Sequence, residues 1–215
     1  MKTVKVICAL LALLPAFSGL RAQSAGIISI SSSATATTAD YEKVVAAMKE
    51  KGAWEKDWTF HAIGTAQPTG LYGFGLFPDR DAFNRRLEII RPIFEQAGAK
   101  PEMHDYEVYN SFLGNVPATA PAGAILVRFD ARGMTTAQYD QIIVELKKVI
   151  TFPPPGQISH VAYKTDEGLK VIDVWDSAES FAAMGEKLMP ILQNLGINTG
   201  APITYNLYNL LKTNN

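Results

Sequence analysis

The sequence predicts an α+β fold: two tandem βαββαβ repeats whose sheets pack together and close into one barrel. Three observations predict it. Sliding the chain against itself by 98 residues brings Tyr41 onto Tyr139, Phe77 onto Trp175, Asp81 onto Glu179, Phe83 onto Phe181, Pro92 onto Pro190 and Gly98 onto Gly196. A one-residue shift adds His61 on His160 and Tyr109-Asn110 on Tyr208-Asn209. Matches this numerous at nearly one offset mark two diverged copies of about 90 residues, the size of a small domain. Each copy then shows the same order of strand and helix patterns. Finally, a four-stranded sheet covered by helices on one side leaves its other face bare, and two such faces can bury each other.

The elements follow in chain order. Lys2 and Lys5 precede an apolar run, Val6 to Phe17, too short to span a bilayer as a stable helix. Ser18-Gly19 and Leu20-Arg21-Ala22 follow. This is the layout of a secretory signal peptide over residues 1–22, cleaved after Ala22. The first repeat, 23–112, carries strands near Ile27, Phe60, Phe74 and Val108, with Ser31 to Thr38 leading from the first strand into a helix. Leu113 to Gly123, LGNVPATAPAG, is an uncharged Pro/Ala/Gly linker.

The second repeat, 124–215, is the clearer of the two. Ala124 to Asp130 reads as a strand. Thr135-Thr136-Ala137-Gln138 is a capping box, and a helix with an Ile142, Ile143, Leu146, Val149 stripe runs to about Ile150. Phe152-Pro153-Pro154-Pro155-Gly156 ends it. Ile158 to Lys164 and Leu169 to Trp175 form a hairpin around Thr165-Asp166-Glu167-Gly168. Ser177 to Leu195 is the second helix, capped by Asp176 or Ser177, with Pro190 inside it and Gly196 after it. Ile203 to Leu210 is the last strand.

Each repeat is therefore a ferredoxin-like half. The element order, the Trp175-Asp176-Ser177-Ala178-Glu179 junction between strand and helix, and the Pro and Gly late in the second helix resemble the dimeric α/β-barrel superfamily. The resemblance spans nearly all of the chain after the leader, twice, so the barrel would be an intramolecular dimer. It implies a fold shared by cofactor-free monooxygenases related to antibiotic biosynthesis, haem-degrading oxygenases, lactone isomerases, polyketide cyclases and stress-responsive proteins. The oxygenase and haem branches imply a histidine on the second helix. Met184 and Arg86 stand along that helix here, which departs from both.

Composition narrows the partners. Cleavage removes Lys2, Lys5, Arg21 and the only cysteine, Cys8, taking the net charge from −1 to −4 and leaving 193 of 215 residues. Disulfides, thiol catalysis and Cys-based zinc sites are excluded from such a chain. Its mild acidity argues against nucleic acid and against stable membrane association. Arg80, Arg85, Arg86 and Arg91 are the one basic cluster, and their spacing fits a solvated helix face better than an anion site. Three histidines in separate segments give no metal-ligand spacing, and the Gly70 to Gly75 run lies within a strand, so no metal or nucleotide cofactor is expected.

Two constellations could carry function. If Lys164 pairs with Leu169, His160 sits opposite Asp173, on the face of Ile158, Ala162, Val171 and Trp175. The carboxylate would then fix the imidazole for general-base work, with Trp175 as a pocket wall. The alternative is a buried, mutually satisfied structural pair. In the first repeat His61 survives, but Gly75 replaces Asp173 and Gly73 lies on the same face. Either a pocket is floored by Gly73 and Gly75 and edged by His61 and Phe77, or aromatics such as Trp58 or Tyr109 fill the gap. Tyr109-Asn110 and Tyr208-Asn209, at the ends of the last strands, either orient a ligand at a pocket mouth or satisfy backbone groups between the halves.

The expected function is an exported, monomeric barrel that binds a small, partly apolar or aromatic molecule, with or without cofactor-independent activity on it. A non-catalytic barrel with a packed interior is the second expectation, and haem or porphyrin binding the third.

Overall fold

A computed structural model describes residues 26–213; the leader, 1–22, lies outside the described residues. The first repeat comprises β1 (Ile27–Ser33), α1 (Thr38–Glu50), β2 (Phe60–Thr65), β3 (Leu71–Phe77), α2 (Arg80–Ala97) and β4 (Glu102–Leu113). The second comprises β5 (Ile125–Phe129), α3 (Thr136–Val149), β6 (Gln157–Thr165), β7 (Gly168–Trp175), α4 (Ala178–Asn194) and β8 (Ile203–Lys212). The α+β assignment and the βαββαβ order are as the sequence predicts.

Local chemistry sets the helix ends. Thr37 with Asp40, and Thr135 with Gln138, form reciprocal capping boxes at the starts of α1 and α3. Asp79 and Ser177 cap α2 and α4. Gly98, at φ 66°, closes α2 in the left-handed conformation that favours glycine.

The eight strands form a closed barrel in the order β1-β3-β2-β8-β5-β7-β6-β4, every neighbour antiparallel. Each repeat supplies four adjacent strands, and the halves join at β2–β8 and β6–β4. Closure leaves no sheet edge unpaired. Alternation along the strands then sends one side chain in two inward. Ile28, Phe60, Phe74, Val161, Ile172 and Val174 meet there in one buried cluster. The barrel interior is filled by its own side chains.

Bulges at the two junctions correct one expectation. The register shifts between Val108 and Asn110 on β4, and again where Ile63 and Gly64 face β8. Tyr109 and Tyr208 are the extra residues, inside their strands rather than at the ends. Each reaches the first helix of the other repeat: Tyr109 Oη donates to Asp140 at 2.8 Å and Tyr208 Oη to Glu42 at 3.0 Å. A third shift, between Gln157 and Ser159, turns Ile158 into the barrel interior and off the face of His160.

Candidate functional site

The outward faces of the two half-sheets carry different side chains at equivalent positions. In the second repeat the cross-strand pairs beneath the helices are Ile125 with Trp175, Val127 with Asp173, and Phe129 with Val171. In the first they are Ile27 with Phe77, Ser29 with Gly75, and Ser31 with Gly73. Four small residues replace two apolar side chains, a phenyl ring and a carboxylate. The helices do not collapse onto the gap, and a cavity of about 410 Å³ remains between α1, α2 and the sheet. It lies between the helices and the outer face of the barrel, where Gly75, His61 and Phe77 of the pocket expected from the sequence stand.

The two glycines act differently. A Cβ on Gly73 would lie 2.7 Å from the Ala62 carbonyl oxygen, so that glycine permits close strand packing and does not line the cavity. Gly75 does line it, and a Cβ there would lie 3.2 Å from Cε3 of Trp58. Trp58 thus descends onto the strand where the side chain is missing.

The aromatic groups are layered. The Trp58 indole stacks on His61 with centroids 4.5 Å apart, and Trp54 meets Trp58 edge-on at 5.1 Å. His61 Nε2 shares a hydrogen bond with the Tyr41 hydroxyl at 3.1 Å. Burial and the nearby Arg86 charge push the His61 pKa down to about 3, so the ring is neutral near pH 7. Burial pushes the Tyr41 phenol upward, so that group is neutral too. Phe77, His61 and Gly75 border one cavity, together with Trp54, Trp58 and Ser29.

Of the charged residues in the cavity lining, Asp40, Arg86 and Lys100, only Arg86 is buried, and it corrects the solvated-face reading of the arginine cluster. Arg80 and Arg85 are exposed and pair with Asp105 and Asp57, and Arg91 is exposed. Arg86 is only 2% exposed. Its guanidinium carbon lies 3.6 Å over the Trp58 ring, opposed to an aromatic face that attracts cations. Nη1 donates to the Ala53 carbonyl, while Nε and Nη2 have no partner. Burial lowers its pKa to about 10, still charged near neutrality. The signal for this burial was present: Phe83, Arg86, Ile90 and Ile93 follow helical spacing, so Arg86 sits on the apolar stripe.

In the second repeat the equivalent space is occupied. His160 faces Asp173 in the register set by Lys164 opposite Leu169. His160 Nδ1 meets Asp173 Oδ1 at 2.7 Å, and Nε2 meets the Tyr139 hydroxyl at 2.7 Å. Asn110 donates to that same hydroxyl at 3.0 Å, and Phe112 stacks on the imidazole at 5.1 Å. A general base needs a free lone pair facing a substrate, and here both ring nitrogens are engaged under a packed layer. Trp175, 1% exposed, packs against Phe181, Ile125 and Val127 away from the cavity. Tyr109 and Tyr208 do not line the cavity either. Tyr139 and Tyr41, the hydroxyl partners of the two histidines, were missed because the contact joins a helix to a strand about twenty residues away.

Among the described residues no group of three or more His, Cys, Asp or Glu side chains is placed to hold a metal ion. His61 is not free to ligate a haem iron: its Nε2 is bonded to Tyr41 and its ring lies beneath Trp58. Among the described residues, no helix is long and apolar enough to cross a membrane.

No family model and no curated protein matches the sequence. Solved structures do match the fold. A candidate monooxygenase from Fusobacterium nucleatum aligns over 88% of this chain and 94% of its own, with TM-score 0.60 and 11% identity. Another candidate monooxygenase, from Lactobacillus acidophilus, covers 87% and 96%, with TM-score 0.60 and 10% identity. A candidate chlorite dismutase aligns at TM-score 0.52 and 10% identity, over 85% and 94%. At such identities the shared property is the fold, and different activities sit on it.

Proposed function

For a chain with the dimeric α/β-barrel fold, both halves in one polypeptide, we propose a binding role. It takes up a small aromatic or partly apolar molecule in the cavity beneath α1 and α2. The observation that carries the reading is the contrast between repeats. One sheet face is hollowed by Ser29, Ser31 and Gly75, and its counterpart is filled by Val127, Phe129 and Asp173. Hollow apolar space is unfavourable unless something occupies it, because interiors pack densely. Two indoles packed edge to face, beside a few fixed polar groups, suit an aromatic guest.

Binding is favoured over catalysis. His61 is buried and neutral, and the His160–Asp173 pair serves as an internal brace in the second repeat. Some fold neighbours are candidate monooxygenases, so cofactor-free turnover of the bound molecule is the catalytic extension of this reading. The filled barrel interior favours the second reading, a ligand-free structural barrel.

Mass spectrometry under non-denaturing conditions separates the two. Protein from its native host is expected to carry a small molecule that denaturation releases. Ser29→Val/Ser31→Phe protein should carry none. Ligand-free wild type that also binds no aromatic compound from a fragment library would support the structural barrel.

The reading includes export, with cleavage after Ala22, and a monomeric mature protein. N-terminal sequencing should begin at Gln23, and light scattering should report one chain. An intact Met1 end in the cytoplasm, or a stable dimer, would count against these points.

A further inference from the structure

The unassigned feature of the cavity is its charge. We propose that it selects anions, and specifically a small aromatic carboxylate whose charged group pairs with Arg86. The proposal rests on the reading that the cavity holds a small molecule, and it names that molecule's class.

Two residues of the cavity lining, in contact with each other, hold three uncommitted groups: Arg86 Nε, Arg86 Nη2 and Trp58 Nε1 are all buried without partners. All three can only donate hydrogen bonds. A ligand that satisfies them must accept. Elsewhere among the described residues such groups occur singly, as at Arg128 Nε, Ser159 Oγ and Trp175 Nε1. Nε and Nη2 are also neighbours on one edge of the guanidinium, the planar fork that grips both oxygens of a carboxylate.

Comparing the repeats supplies a second argument. The second repeat has its anion built in, Asp173, and an apolar Met184 where Arg86 would be. The first repeat lacks the carboxylate, with Gly75 in its place, and carries a cation instead. Asp57, whose charge acts on Arg86, is held by Arg85 at 2.9 Å. A buried cation without a carboxylate is costly to keep. A ligand carboxylate supplies the missing charge, and the Ser29 and Ser31 hydroxyls, which border the same space, can donate to it. Trp58 covers one face of the guanidinium at 3.6 Å, so the in-plane edge that carries Nε and Nη2 is the side an anion would engage.

The test is calorimetric titration of the full chain with 1-naphthoate and its neutral isostere 1-naphthamide. Wild type should bind the carboxylate about 10- to 100-fold more tightly, the range for a buried charge-assisted pair. Arg86→Met, the side chain of the second repeat, should bind the two compounds equally. Arg86→Lys should keep part of the preference, and it serves if Arg86→Met fails to fold. Equal binding of both probes by wild type would overturn anion selection and leave the cavity reading intact. If wild type bound neither, both would fall.

Discussion

Replacing Ser29 with Val and Ser31 with Phe would place on β1 the side chains that Val127 and Phe129 supply at the equivalent positions of β5, opposite the unchanged Gly75 and Gly73. The cavity exists because β1 and β3 present small side chains to the helices. Burying an apolar side chain of this size contributes about 1.5–3 kcal/mol. Ordering it costs roughly 0.5–1 kcal/mol. Ser31 is only partly covered, so the Phe gains less than its full value. The net expectation for the double variant is a gain of about 2 kcal/mol. For a protein of this size that raises the melting temperature by roughly 4–8 °C. Differential scanning calorimetry measures it, and titration with 1-naphthamide on the same sample should show binding lost. Stability gained where function is lost marks a site kept open. A loss of about 1–3 kcal/mol, the usual cost of overpacking, would show that no usable space exists there and refute the reasoning.

Three further outcomes are expected. Asp173→Ala strands His160 Nδ1 in a site where both residues are nearly fully buried, and should cost about 3 kcal/mol in urea denaturation; Asp173→Asn should cost less, and equal effects would deny the bond. The pKa of His61 is about 3 when folded and roughly 6.5 when unfolded, so between those values the unfolded state binds the extra proton. Stability should therefore fall as pH drops through that window, by up to about 1.4 kcal/mol per unit, and His61→Gln should flatten the profile; parallel wild-type and variant curves would contradict the buried neutral ring. Arg86→Met exchanges an unpaired buried cation for an apolar side chain and should raise stability by about 1–3 kcal/mol in the absence of ligand; a clear loss would mean the guanidinium is already compensated.

The architecture was legible because it depends on patterns that survive divergence. Capping residues, hairpin turns and the landmark pairs from Tyr41 and Tyr139 to Gly98 and Gly196 specify the elements twice. The bare faces of two four-stranded sheets then leave closure as the simplest way to bury them. The hairpin register was also readable, since the turn before Leu169 brings Lys164 opposite it and hence His160 opposite Asp173. Beyond that, a single inserted residue defeats pattern reading. The bulge at Ile158 moves that side chain to the other face, and those at Tyr109 and Tyr208 turn supposed ligand groups into struts between repeats. Arg86 was obscured for a different reason. Its neighbours Arg85 and Arg91 are solvated, so charge content outweighed the apolar stripe on which it lies. Gly73 and Gly75 look alike in sequence, yet one admits a neighbouring strand and the other an indole. That difference follows from the side chains across each strand, which only the folded sheet brings together.

The central claim is that the first repeat, and not the second, is the binding half. Three tryptophans serve as reporters: Trp54 and Trp58 border the cavity, while Trp175 is buried in the second repeat. Each gives one indole N–H peak in a ¹H–¹⁵N correlation spectrum, assignable by single Trp→Phe substitution. Titration with 1-naphthoate should move the Trp54 and Trp58 peaks together and leave Trp175 in place. Movement of Trp175 alone, or of none of the three at saturating ligand, would contradict the account.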